Sequence, residues 1–172
     1  MAHKIIIGID NGVTGTIGWV GDGCPAGPSM IKTPVKSEQS YTKAKKNITR
    51  VDFLQVQQLL DTLTNRLIFR SDALVVIERP MVNPMRFTAS CSALRALEST
   101  LIAIETLGLA RMYVDSRDWQ KVLLPKGCQG PELKDASEDI GCRLFPECEK
   151  IIRKHGDADS LLIAEWARRA GL

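Results

Sequence analysis

Residues 73–77, ALVVI, are apolar at every position and are bounded by Asp72 and Glu78. A strand with one wet face alternates apolar and polar side chains. A continuous run of this length fits a strand covered on both faces. Covering both faces requires layers above and below, so the run points to an α/β architecture with helices on either side of a sheet.

The rest of the chain can be read around that strand. Residues 4–9, KIIIGI, predict a strand that ends at Asp10, and Asn11-Gly12 predicts a tight turn. Residues 14–20, TGTIGWV, predict a second strand running back along the first. Residues 21–28 form a Gly- and Pro-rich turn, and residues 29–35 a third strand with Pro34 near its end. Residues 36–50 are polar and basic and read as a mobile connection. Asp52 is placed to cap a helix in which Phe53, Val56, Leu59, Leu60, Leu63 and Leu67 recur at helical spacing. After the 73–77 strand, a helix is expected over 89–107, with Leu94, Leu97, Leu101 and Ile104 on one stripe and Gly108 at its C-terminal end. A strand over 110–114 ends at Asp115. Two short helices follow, over 118–124 and 132–144, the second closed by Pro146. A final helix over 157–169 turns Leu161, Leu162 and Trp166 inward. The order is three strands, then α-β-α-β, then helices. This predicts one α/β domain over residues 1–172 with a mixed central sheet flanked by helices.

Several function classes are disfavoured. No apolar run is long enough to cross a bilayer, and the N-terminus lacks the pattern of a signal peptide, so a cytoplasmic protein is expected. Cys24, Cys91, Cys128, Cys142 and Cys148 are odd in number and irregularly spaced, with no C-x-x-C pair. Neither a disulfide framework nor a structural zinc site fits them. The net charge is only +3, but the bases are clustered. Lys36, Lys43, Lys45, Lys46 and Arg50 form one group, with Glu38 the single acid among them, and Arg143, Lys150, Arg153 and Lys154 form another. Each group reads either as a phosphate-contacting patch or as an ordinary solvated surface.

Acids mark the ends of three separate elements. Asp10 closes the first strand, Glu78 closes the 73–77 strand, and Asp157 and Asp159 open the last helix. Each has a plain reading of its own. Asp10 fits a turn, Asp157 an N-cap, and Asp159 a first-turn acid favoured by the helix dipole at ~0.5–1 kcal/mol. Glu78 at a buried strand end is harder to explain that way, because charges are seldom buried unpaired. If the two strands are parallel neighbours, both acids lie on the carboxyl rim of the sheet, where ligands bind. Grouped carboxylates suit Mg²⁺ or Mn²⁺, which prefer hard oxygen donors. Two such ions roughly 3.5–4 Å apart can hold the attacking and leaving oxygens of a phosphodiester. Without metal, acids so close would repel one another and one would tend to keep its proton.

These segments resemble a known family. The run IIIGIDNGVTGTIGWV resembles the first motif of the RuvC-type Holliday junction resolvases, ALVVIERP the second acidic motif, and DADSLLIA the closing motif. The intervening VDSRDWQKVLLP, LKDAS and RLFP resemble the phage-encoded branch. The resemblance spans nearly the whole chain in order and implies a ribonuclease H-like fold. It implies a homodimer that nicks four-way DNA junctions symmetrically, using two Mg²⁺ or Mn²⁺ ions per site and no organic cofactor. By position it makes Asp10, Glu78 and Asp159 metal-binding acids. The fourth family position falls on Gly156, flanked by His155 and Asp157. Asp157 is the preferred fourth ligand, with His155 the alternative. Lys134 matches a base beside the scissile phosphate, and Lys121 a further DNA contact. The position expected for an aromatic wedge holds Met81. The nearest aromatic, Phe87, is therefore either that wedge or a core residue, and Arg86 beside it joins the DNA-binding set. The small residues of the 89–107 helix make it a candidate dimer face, unless they pack internally.

Three other readings stay open. DNGVTGTIG also resembles the phosphate-binding hairpin of the actin and sugar-kinase superfamily, though no second glycine-rich phosphate loop is apparent. The chain also fits a non-catalytic DNA-structure-binding protein, or a ribonuclease H-like nuclease acting on flaps or RNA–DNA hybrids.

Overall fold

The computed structural model of the chain describes residues 3–24, 27–40, 43 and 46–172. Met1 and Ala2 of the N-terminus, Pro25 and Ala26 of the expected turn, and Lys45 of the first basic group lie outside the described residues, as do Tyr41, Thr42 and Ala44.

Strand β1 (Ile5–Ile9) runs antiparallel to β2 (Thr16–Val20), which in turn pairs antiparallel with β3 (Ser29–Lys32). On its other side β1 lies parallel to β6 (Ala73–Glu78), and β6 parallel to β7 (Ala110–Val114). The result is a five-stranded mixed sheet of order β3-β2-β1-β6-β7. Because side chains alternate along a strand, the sheet feeds two cores. Ile5, Ile7, Ile9, Ala73, Val75 and Ile77 pack toward helices α1 (Phe53–Thr64) and α2 (Phe87–Thr106). Ile6, Leu74 and Val76 face the opposite way, into a core built from α3 (Ser116–Leu123), α5 (Glu149–His155) and α6 (Asp159–Arg169), with α4 (Pro131–Leu144) packed against it. This two-sided burial accounts for the continuously apolar 73–77 run, in which each buried Val, Leu or Ile contributes ~2 kcal/mol.

Helix α6 is buried almost all round, with Ser160, Leu161, Leu162, Ile163, Ala164, Glu165 and Ala167 all inaccessible. It lies on the sheet backbone itself. A Cβ added at Gly8 would stand 2.1 Å from Ser160 O and 2.8 Å from Ala164 N, and one at Gly18 would stand 2.8 Å from Leu161 N. The seat is completed by Thr16 Oγ1, which donates to Ser160 Oγ at 2.8 Å.

The structure departs from the sequence expectations in several places. The third strand stops at Lys32, and residues 36–50 are not a loose connection. The strands β4 (Val35–Gln39) and β5 (Asn47–Val51) form a separate antiparallel ribbon, anchored where Val51 enters the core. The fully buried residues of α2 are Ser90, Ala96, Thr100, Ala103 and Ile104; of the expected stripe Leu97 and Leu101 pack partly buried on the same core, and Leu94 is 45% exposed. Small residues face inward there because α2 packs closely on α1 and β5. Helix α5 was not foreseen; it is short, and Gly156 ends it in the left-handed conformation at φ +76°. The last helix begins at Asp159 with Ala158 at its N-cap, so Asp157 is not the cap. All five cysteines are unbridged. Among the described residues, no helix is long and apolar enough to cross a membrane.

Candidate active site

The register of the parallel pair decides the first contact. Ile9 stands opposite Ile77, so Asp10 and Glu78 leave the adjacent strands β1 and β6 at the same level of the carboxyl rim. By alternation both acids point to the side of Gly8 and Val76, which is the side covered by α6. The first residue of α6 is Asp159, and the direct seating of that helix on Gly8 and Gly18 brings its N-terminus down to the rim. Asp10 is fixed by its own N–H, which donates to Thr16 O at 3.0 Å, and the next residue is fixed by Asn11 Nδ2, which donates to Ala93 O at 3.1 Å.

Helix α4 adds a second layer. Lys134, Ser137 and Gly141 are spaced three and four apart and so share a helix face. Gly141 packs against Ala158, where an added Cβ would stand 2.2 Å from the alanine Cβ. The fully buried Ser137 accepts from the Ala158 N–H at 3.1 Å and donates through Oγ to Asp159 Oδ1. It thereby serves the start of α6 in place of a side chain at the N-cap. One turn earlier, the exposed Lys134 carries its charge close enough to act on Asp10 and Asp159.

The electrostatics follow from this crowding. Burial, then the charges of Asp159 and Asp157, push the Asp10 carboxyl up to about 7, against the opposing effect of Lys134. Burial, then Asp10 and Asp159, push Glu78 up to about 8. Ser116 and Trp119 of α3 favour the charged form of Glu78, although the buried Trp119 indole N–H closes no hydrogen bond of good geometry. Asp159 is raised to about 6, chiefly by burial, with Ser137 acting against the rise. In an unfolded chain these groups titrate near 4. Between about pH 4 and pH 8 the folded protein therefore holds protons that the unfolded chain has released, and its stability falls as pH rises. In EDTA the protein should melt roughly 5 °C or more higher at pH 5 than at pH 8. A melting temperature that rises over that interval would show that these carboxyls are not crowded as described.

The structure thus brings Asp10 and Asp159 within electrostatic range of Asp157 and Lys134, and Glu78 within range of Asp10 and Asp159. Asp157 is buried and its Oδ1 has no hydrogen-bond partner. His155, the alternative at this position, lies at the C-terminal end of α5, and its charge is not among those acting on the other acids. Among the described residues, no three His, Cys, Asp or Glu side chains form a ready-made cation cage. What is present is an open set of oxygen donors with excess negative charge and an unpartnered buried carboxylate oxygen. That donor chemistry suits a hard divalent cation whose remaining ligands are water and phosphate.

A cleft of about 500 Å³ opens from Asp10 and Glu78 toward α2, lined also by Asn11, Arg79, Met81, Asn83, Arg86 and Ser116. Asp157, Asp159 and Lys134 do not line it, but their charges act on Asp10, which does. Arg86 lines it. Phe87 is 74% exposed and is therefore not a core residue; Met81, which lines the cleft, and Met85 are 82% and 92% exposed. Lys121 is placed elsewhere. It pairs with Asp118 at 2.7 Å and lines a separate groove with Arg117 and Lys126. Sequence reading overlooked Ser137, Ser116, Asn11 and Arg79. For Ser137 a signal existed, because it lies three residues after Lys134 on one helical face. For the others the contacts join residues far apart in the chain.

No protein-family model matches the sequence, and no curated protein matches it. Solved structures do. A structure of T. thermophilus RuvC in complex with Holliday junction substrate superposes with a TM-score of 0.57 at 13% identity, over 97% of this chain and 96% of that one. A Thermus thermophilus RuvC structure gives a TM-score of 0.49, also at 13% identity, over 97% and 96% of the two chains. The likeness to the first of these is one of fold: the chain has the ribonuclease H-like α/β architecture expected from its sequence.

Proposed function

We propose that residues 1–172 form one nuclease domain that cuts four-way DNA junctions by metal-dependent hydrolysis. The observation that carries the reading is the convergence of Asp10, Glu78, Asp157 and Asp159 beside an open cleft, where burial and neighbouring negative charge make the ionised forms of Asp10, Glu78 and Asp159 costly without a cation. The fold likeness to a RuvC solved with a Holliday junction substrate supports the choice of DNA as substrate. A homodimer, which would present two such sites to a two-fold junction, belongs to the same proposal, as does a cytoplasmic location.

In this reading the four acids hold Mg²⁺ or Mn²⁺, two ions per site. When bound, such ions supply Lewis acidity, lowering the pKa of a water and offsetting charge on the leaving oxygen. The chain's own residues do the rest. Asp10 and Glu78 supply carboxylate oxygens from adjacent strand ends. Ser137 holds Asp159 in one orientation. Lys134, unpaired among the described residues, is free to meet a phosphate oxygen beside the acids. Arg86 lines the path of the backbone along the cleft, and the exposed Phe87 offers a ring face to an unstacked base.

The direct test incubates the protein and Mg²⁺ with a synthetic four-way junction, a flap and an RNA–DNA hybrid. Paired symmetric nicks in the junction are expected. Cutting of the flap or hybrid alone would replace the junction by that substrate, and ATP turnover without cutting would overturn the nuclease reading. Mn²⁺ should raise the melting temperature more at pH 8 than at pH 5, because ions and protons compete for the same carboxyls. Lys134→Ala should slow cleavage roughly 10–100-fold, since it removes one charge from the reacting phosphate. Its melting temperature should be nearly unchanged because the side chain is exposed. Equal rates would remove Lys134 from the site.

A further inference from the structure

Among the described residues, the β4–β5 ribbon is hydrogen-bonded to no strand of the main sheet. Its position is nevertheless defined by the sheet. Strand β2 starts, and β3 ends, at the rim where β1 delivers Asp10, because Thr16 pairs with Lys32 and Ile9 pairs with Ile17. The chain leaves β3 at that rim and enters the ribbon at once. Two bonds tie down the base: Thr33 N–H donates to Gly15 O at 2.9 Å, and Asp52 N–H donates to Pro34 O at 2.9 Å. Gly15 in turn packs on the Asp10 carbonyl, which an added Cβ would meet at 2.1 Å. The base of the ribbon therefore lies at the rim that carries Asp10, and β5 packs along α2. Strands of five residues extend about 16 Å at the usual rise.

Its surface chemistry is uneven. From Lys32 to Asp52 the described residues include five cations, Lys32, Lys36, Lys43, Lys46 and Arg50, against the two acids Glu38 and Asp52. Arg50 is engaged by Glu38. Lys36 lies near enough to favour the charged forms of Glu38 and Asp52, yet among the described residues neither it, Lys32 nor Lys46 is in an ion pair. Exposed Ser37 stands directly opposite Thr49, and exposed Gln39 opposite Asn47, giving a face of short hydrogen-bonding side chains. No strand residue of the ribbon is aromatic, so the ribbon strands offer no stacking platform for single-stranded bases. Lysines with Ser, Thr, Asn and Gln are the groups that contact phosphate and sugar without reading sequence. A two-stranded ribbon is also of a size that a duplex groove admits.

We propose that the β4–β5 hairpin is an arm that grips the phosphate backbone of a DNA duplex leading into the cleft. This rests on the nuclease reading above and adds to it a second contact surface, separate from the acids and from Lys134. The test is the triple variant Lys32→Gln/Lys36→Gln/Lys46→Gln. All three side chains are exposed, so its melting temperature should match the wild type. Binding of a synthetic four-way junction and of a linear duplex is measured in EDTA across a salt series. Losing two or three phosphate contacts should flatten the slope of log affinity against log salt by roughly 2 on both DNAs, and weaken binding about 10-fold or more at low salt. The single-turnover rate on fully bound junction in Mg²⁺ should stay within about two-fold of wild type, as the residues are not part of the cutting machinery. Unchanged slope and affinity in the variant, with a wild type that binds and cuts, would overturn the arm and leave the nuclease reading standing. A wild type that binds no DNA would overturn both.

Discussion

Replacing Asp10 by asparagine is expected to lower junction cleavage about 10³-fold or more while leaving the protein folded and able to bind the junction. The expected loss follows from position. Asp10 stands at the rim between Glu78 on the neighbouring strand and Asp159 on α6; the charges of Asp159, Asp157 and Lys134 act on it, and its own charge acts on Glu78. An amide cannot supply the second anionic oxygen that a bound cation draws on, and the several kcal/mol so forfeited convert at 1.36 kcal/mol per tenfold in rate. The same substitution has an opposite effect on stability. Asp10 is raised to about 7, so at pH 8 the metal-free protein keeps a buried charge beside other negative charges. The neutral amide removes it. Asp10→Asn should therefore melt higher than wild type at pH 8 in EDTA, and little differently at pH 5, where Asp10 is already protonated. Single-turnover cleavage and thermal melts at the two pH values check both halves. Normal cutting by Asp10→Asn would dismantle the site, and a drop in its metal-free stability at pH 8 would contradict the crowding on which the site rests.

The second large effect concerns Gly8, which carries no chemistry. In Gly8→Ala the new methyl would sit 2.1 Å from Ser160 O and 2.8 Å from Ala164 N. Both are helix backbone atoms, so no rotamer change relieves the clash and α6 must lift from the sheet. Overpacking of this kind costs typically 1–3 kcal/mol and occasionally more, and backbone contacts place this site at the upper end. A loss of ~3 kcal/mol corresponds to a melting temperature lower by roughly 6–12 °C in a domain of this size. The more telling readout is activity at a temperature where the variant is still folded. Asp159 opens the displaced helix, so cleavage should fall by about 10-fold or more even there. A variant that melts early but cuts at the wild-type rate when folded would show that the seating of α6 does not position Asp159.

The alternation of elements was legible because it depends on short-range periodicity. The strands expected over 4–9, 73–77 and 110–114 are found at Ile5–Ile9, Ala73–Glu78 and Ala110–Val114, and the α1 stripe through Val56, Leu60 and Leu63 is buried as its spacing predicts. The ribbon was missed because its two strands are mostly polar, with one face exposed and the other only half-buried. Their pairing is recorded in cross-strand hydrogen bonds rather than in any hydrophobic rhythm. Of the expected α2 stripe, Ile104 is buried and Leu97 and Leu101 pack on the core, while Leu94 is exposed. Leucines mark a face in sequence, but close packing against α1 and β5 favours Ala96, Thr100 and Ala103. Asp157 and His155 were equally placed in the sequence, two residues apart. Only the left-handed turn at Gly156 separates them, leaving His155 at the end of α5 and Asp157 buried at the site.

The amino-acid sequence alone determined that a doubly covered strand must lie in an α/β sheet and that Asp10, Glu78 and Asp159 sit at element ends. Those are consequences of side-chain period and of local start and stop signals. Tertiary structure alone decided that these ends meet. The meeting depends on parallel register between β1 and β6, on two glycines that let α6 touch the sheet backbone, and on Ser137 reaching from α4 to Asp159. Each is a contact between residues distant in the chain, set by packing of whole elements, and no local pattern encodes such a distance.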